Sequence, residues 1–166
     1  MEIIGYKCFD EGLINRYGFK FELGKVYVTS GMLKFGNNGN GFHMCKNVED
    51  TFRYFDAMNG NVDICLVKGS GNILEFADEY YGYYNMYVAE KLELLKKLSH
   101  EQIINMGLNL NELRVKRFLS GFKLTNEEIE IFKNNYKTDV EVLKTIAYYQ
   151  ENNIDVYTKK RGVYYG

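Results

Sequence analysis

Two residues in the stretch GFHMCKNVEDTFRYF, His43 and Cys45, are of the types and spacing that could do chemistry. In an extended strand, residues i and i+2 share a face, so the two side chains would lie beside one another. Cys8 and Cys65 fall on other predicted strands. Four soft ligands could therefore converge on zinc. Zinc knuckles draw two ligands from one tight turn, and no CxxC occurs here. A Cys45 nucleophile activated by His43 would need a thiolate-stabilising setting and an oxyanion donor. Neighbours on one strand seldom offer that approach angle. The pattern favours a buried strand cysteine beside a histidine bonded to backbone, with no metal. His100 sits within a helix-capping sequence, which gives it a surface role.

Other chemistry-bearing patterns are weaker. GNNGNG (residues 36–41) and KGSGN (68–72) are glycine-rich, but neither has phosphate-loop spacing nor a strand–GxGxxG–helix context. Both read as turns. DEYYGYYNMY (78–87) holds five tyrosines in ten residues. Tyr80, Tyr81, Tyr83 and Tyr84 could form an adaptable protein-contact surface or roof the sheet.

The elements that must position these residues divide the chain. A short apolar run at 3–9, another strand signal after the Gly/Asn cluster of KFGNNGNGFHMC, and a continuous apolar run at 62–71 read as strands. FKFELGKVYVTS alternates around Gly24 like a hairpin. Asn47 could cap a helix of about three turns carrying Val48, Phe52 and Phe55. The run 87–99 is ambiguous, but a new cap at Ser99 makes it a strand. Ser99/Gln102, Thr125/Glu128 and Thr138/Glu141 each form a capping box, the first two with hydrophobic staples Leu98/Ile103 and Leu124/Ile129. The expected fold is α+β: a compact N-terminal mixed sheet with one packed helix over 1–98, then a helical extension over 99–166.

Composition narrows the function. At 166 residues with 46% hydrophobic and 16% aromatic side chains, the chain can bury a core. A formal charge of −1 argues against a general nucleic-acid binder. No apolar run approaches a membrane span, and the first residues lack a secretory pattern. Three cysteines without framework spacing suit a reducing cytoplasm. A cytoplasmic location follows as the expectation.

GYKCF, FELGKVY and GFHMCKNVEDTFRYF together resemble an uncharacterised family of small phage- and bacterium-encoded domains. Its signature runs Tyr-Lys-x-Phe, Gly-Lys-x-Tyr and Gly-Phe-His-x-Cys-x-Asn before a short aromatic helix, and the likeness covers roughly residues 4–104. Val48 departs from it, since Pro is common there, which alters only the rigidity of the helix start. That family has no assigned activity; set beside the tyrosine-rich stretch 78–87, the likeness favours a phage- or mobile-element-type module that binds a host protein through Tyr80, Tyr81, Tyr83 and Tyr84, with an anti-defence role as one option and without a cofactor. A second likeness is to ADP-ribosyltransferases, whose middle motif sets a Gly-Phe-Tyr/His strand before a helix under the NAD site. It implies Tyr6 or Lys7 holding NAD, Tyr54 stacking on nicotinamide, and His43 and Glu90 in catalytic roles. The carboxylate would then stabilise an oxocarbenium-like sugar.

Overall fold

The computed structural model describes residues 1–36, 38–77 and 85–151. The chain forms two compact units, Met1–Ile103 and Ile104–Gly166. Among the described residues the first holds five strands: β1 (Glu2–Asp10), β2 (Val26–Val28), β3 (Phe42–Cys45), β4 (Val62–Ala77) and β5 (Asn85–Lys97). The architecture is α+β, as the sequence indicates, and the named strand pairings are all antiparallel.

The β4–β5 ladder is the longest, running from Cys65↔Lys97 to Ala77↔Asn85 with two register shifts. β1 pairs along the first half of β4, while β2 and β3 both pair with β5. β1 then meets β3 at one residue pair, Tyr6↔Cys45. The pairings thus make a closed circuit, β1–β4–β5–β3–β1. Closure leaves an inner face that fills with Phe9, Phe21, Met44, Cys65, Val67, Leu92 and Leu94. Each such apolar side chain contributes roughly 1.5–3 kcal/mol on burial.

The circuit is tight where Met44 crosses it. A Cβ on Gly5 would lie 2.8 Å from Met44 Cε, and one on Gly69 would lie 2.7 Å from Met44 Sδ. Neither glycine needs an unusual φ; both are there because a backbone must pass close to a long side chain. Methionine suits the gap because its thioether chain adapts to irregular space.

Three local expectations differ from what forms. The segment after Asn47 is a six-residue 3-10 helix, Val48–Arg53, and the Asn47 side chain makes no capping bond to its backbone. The Thr51 hydroxyl donates to the Val48 carbonyl (2.7 Å), and Asp56 accepts the Met58 and Asn59 amides. These side-chain bonds compete with a longer α-helix. The hairpin around Gly24 does not form. Leu23 bridges Leu94 in parallel and β2 pairs with residues 91–93, so both runs attach to the long edge of β5. The third capping box does not form: Asp139, not Thr138, is the N-cap and accepts the Val142 amide as a single capping bond.

The helices are α1 (His100–Leu108), α2 (Glu112–Gly121), α3 (Asn126–Asn135) and α4 (Val140–Thr145), which runs on as a π-helical turn, Ile146–Glu151. The capping boxes at Ser99/Gln102 and Thr125/Glu128 are both present. In the second unit, Phe118 stacks on Phe132 at 5.8 Å. Gln150, 1% exposed, donates to the Leu119 and Phe122 carbonyls and accepts the Leu124 amide. One amide side chain thereby satisfies the buried end of α2.

Gly5→Ala is expected to destabilise the first unit by about 1–3 kcal/mol, since the added methyl meets the Cys45 carbonyl as well as Met44. A urea midpoint equal to wild type would show that β1 and β3 can separate freely. Thr125→Ala should cost about 1 kcal/mol through loss of the α3 cap. A thermal melt that does not move would mean that α3 is not held there.

Candidate functional site

β1, β3, the turn at 15–19, the loop at 34–41, the 3-10 helix and the far parts of β4 and β5 wall a cleft of about 560 Å³. Lys7 enters from β1, His43 from β3, Arg16 from the turn, and Arg53 and Tyr54 from the end of the 3-10 helix. Phe35, Phe76 and Met86 supply apolar lining. Residues distant in sequence meet here because β1 and β3 are adjacent and both run close to the 3-10 helix.

Side-chain hydrogen bonds fix the two loops. Asp63, 8% exposed, accepts the Gly12 (2.7 Å) and Leu13 (3.0 Å) amides. That holds Leu13 at φ 62, a left-handed conformation that a branched residue adopts only under such constraint. Asn15 then accepts the Tyr17 and Phe19 amides, closing the turn that presents Arg16. On the other side, Asn40 donates to the Ser30 and Met32 carbonyls, and its backbone pairs with Lys34. His43 Nε2 accepts the Gly36 amide at 3.1 Å. The histidine is thus a clamp on the Gly/Asn-rich loop, and its bonded neutral form carries the proton on Nδ1.

The electrostatics follow from burial. Lys7 is half-buried in the cleft wall. It donates to the His43 carbonyl at 2.6 Å and lies 5.8 Å from the centre of the Phe9 ring. Burial pulls its pKa down to about 8. Burial likewise pushes the Cys8, Cys45 and Cys65 thiols up to about 12. All three are protonated at neutral pH and are poor nucleophiles. Tyr54 is also raised, chiefly by burial; its hydroxyl meets Met86 Sδ at 2.7 Å and its ring lies 5.5 Å from the Arg53 guanidinium.

A family model matches residues 3–106, a span that includes every described residue lining the cleft. The chain belongs to the DUF7666 family. Its shared feature is a domain of unknown function, in keeping with the resemblance to an uncharacterised family. No curated protein and no solved structure matches the chain.

The DUF7666 domain brings together four of the residues singled out in the sequence: Tyr6, Lys7, His43 and Tyr54. Glu90 is not with them. Its carboxylate accepts the Asn72 amide (3.2 Å) beside Gly71, where φ is +76 and the chain bulges between β4 and β5. It supports a turn instead of facing the cleft. His43 is only half-buried, whereas Cys45 is 1% exposed. Among the described residues no three His, Cys, Asp or Glu side chains are grouped to hold a metal. Tyr80, Tyr81, Tyr83 and Tyr84 lie outside the described residues. No helix among the described residues is long and apolar enough to cross a membrane.

Arg16 and Arg53 escaped the sequence reading. A signal was available: they are the only arginines in residues 1–103 of a chain with many lysines. Where lysine serves generally, the two positions needing a planar, permanently charged fork stand out.

Burial, first, and the Lys7 ammonium, second, hold His43 below its ordinary pKa of 6.5. The unfolded chain therefore takes up a proton near pH 6.5 before the folded one does. The clamp's contribution is fully present above that pH and is lost as pH falls through the folded value. Wild type should lose stability relative to His43→Gln between pH 7.5 and 5.5. A stability gap constant across that range would mean that the imidazole does not hold Gly36.

Proposed function

We propose that the cleft binds a small anion carrying an aromatic ring, of the nucleotide class. The observation that supports this is the composition of its wall. Lys7, Arg16 and Arg53 line it, and no Asp or Glu is among its described lining residues, although the chain's net charge is −1. Concentrating one sign of charge in a concave site raises the local concentration of the opposite ion. Arginine forks match phosphate and carboxylate oxygens in pairs.

The aromatic part has its own support. Phe35 lies 5.1 Å from Phe76 and 6.0 Å, edge-on, from His43. Phe76 remains 41% exposed at this concave position, so a planar ring could cover it. The volume is in the usual range for small-molecule sites, roughly 300–1,000 Å³.

NAD, the cofactor implied by the transferase likeness, belongs to this ligand class. ADP-ribosyl transfer would also need a carboxylate against the sugar. Glu90, the residue expected to supply it, lies at the β4–β5 bulge, so the proposal is binding and not transfer. The host-protein reading turns on Tyr80, Tyr81, Tyr83 and Tyr84, and no observation among the described residues adds to it.

With no Trp in the chain, tyrosine fluorescence can follow ligand binding directly. AMP and NAD should quench it saturably, and calorimetry should give the same affinity. Arg16→Ala and Arg53→Ala should each weaken binding about tenfold or more, as expected for loss of a charge-assisted bond worth about 1.5–3 kcal/mol. Adenosine binding as tightly as AMP would remove the anion from the proposal, and no binding of any of them at millimolar concentration would overturn it.

A further inference from the structure

We propose that Lys7 is a nucleophilic amine that captures a carbonyl-bearing anion as an imine in this cleft, a step that rests on the anion-binding reading above. The geometry is unusual for a lysine. Its Nζ has the His43 carbonyl as hydrogen-bond acceptor and the Phe9 ring nearby, but no carboxylate partner among the described residues. Elsewhere in the same unit, Lys68 pairs with Glu2 and Glu93, and Lys97 with Asp63.

The setting makes the free amine available. With burial and Arg16 both disfavouring the ammonium, Lys7 titrates at about 8. Cys45 and Cys8 act in the opposite direction without returning Lys7 to its ordinary value. Roughly one Lys7 in ten is then unprotonated at pH 7, against roughly one in three thousand for an ordinary lysine. Desolvated lysines of this kind are the ones that form Schiff bases.

In the reaction the Nζ lone pair attacks the carbonyl carbon. A C–N bond forms as the C=O π pair moves to oxygen, which gains a proton to give a carbinolamine. The hydroxyl then leaves as water and the remaining N–H proton is released. The balance is amine plus carbonyl giving imine plus water, with no oxidation or reduction. Arg16 and Arg53 would hold the anionic group while Lys7 meets the carbonyl.

Pyridoxal 5′-phosphate, an aldehyde with a ring and a phosphate, serves as the probe, with borohydride reduction and peptide mapping as readout. The expected result at pH 7.5 is a reduced adduct concentrated on Lys7, at a concentration that leaves the other lysines largely unlabelled. Lys7→Arg, which keeps the charge, should lower total labelling more than tenfold while circular dichroism stays native. Arg16→Ala, which keeps the amine, should slow labelling of Lys7. An adduct spread evenly over the lysines, or undiminished in Lys7→Arg, would overturn the inference. Pyridoxine 5′-phosphate, which lacks the aldehyde, separates the two proposals. If it binds and Lys7 is never labelled, the imine fails and anion binding stands. If it does not bind yet uncharged pyridoxal still labels Lys7 selectively, the nucleophile stands and anion binding fails.

Discussion

The close approach of β1 to β3 at Gly5 is the constraint on which the first unit depends. The two strands share one pair, Tyr6↔Cys45, yet that pair closes the circuit. A side chain at Gly5 would strike the Cys45 carbonyl and the Met44 terminus. Its absence lets β1 lie against β3, with Met44 filling the space between Gly5 and Gly69. Lys7 follows two residues along β1 and so comes within reach of the His43 carbonyl. The cleft is a consequence of this contact: its wall joins strands that would otherwise be separated by β4 and β5.

Burial acts on the site with opposite chemical results. It keeps the thiols of Cys8, Cys45 and Cys65 protonated and inert, while it makes the Lys7 amine easier to deprotonate. The same penalty on charge suppresses one class of nucleophile and exposes another. Arg16 and Arg53 stand in the same wall as planar guanidinium forks. The cleft therefore combines two permanent cations with one amine whose charge changes near neutrality. A charge-holding function and a nucleophilic one can coexist there because different residue types carry them.

Much of the fold is legible in the sequence because local chemistry agrees with it. The Ser99 and Thr125 boxes start helices where their residues sit, and the run 87–99, read as a strand because of the Ser99 cap, forms β5 as far as Lys97. Failures occur where a distant partner decides. The runs around Gly24 look like a hairpin locally, but β5 offers a long edge that takes both. The Asn47 helix is shortened by the Thr51 and Asp56 side chains, whose bonds a periodicity argument does not weigh. For the site, Tyr6, Lys7, His43 and Tyr54 are legible as a group. Glu90 was chosen by position along the chain, and the bulge at Gly71 and Asn72 uses it instead.

His43 shows why spacing alone misassigns a pair. The i, i+2 rule rightly places it with Cys45 on one strand, and both line the cleft. Their environments then diverge within that strand: Cys45 is sealed in, whereas His43 reaches the 34–41 loop. The histidine's backbone carbonyl holds the Lys7 ammonium while its imidazole holds the Gly36 amide. One residue thus joins the reactive amine to the loop that forms the cleft's wall. Protonating the ring removes the acceptor from Gly36 but leaves the carbonyl bond to Lys7 intact. The Gly36 bond can consequently be lost while the Lys7 bond remains, with Asn40 still tying the loop to Lys34, Ser30 and Met32.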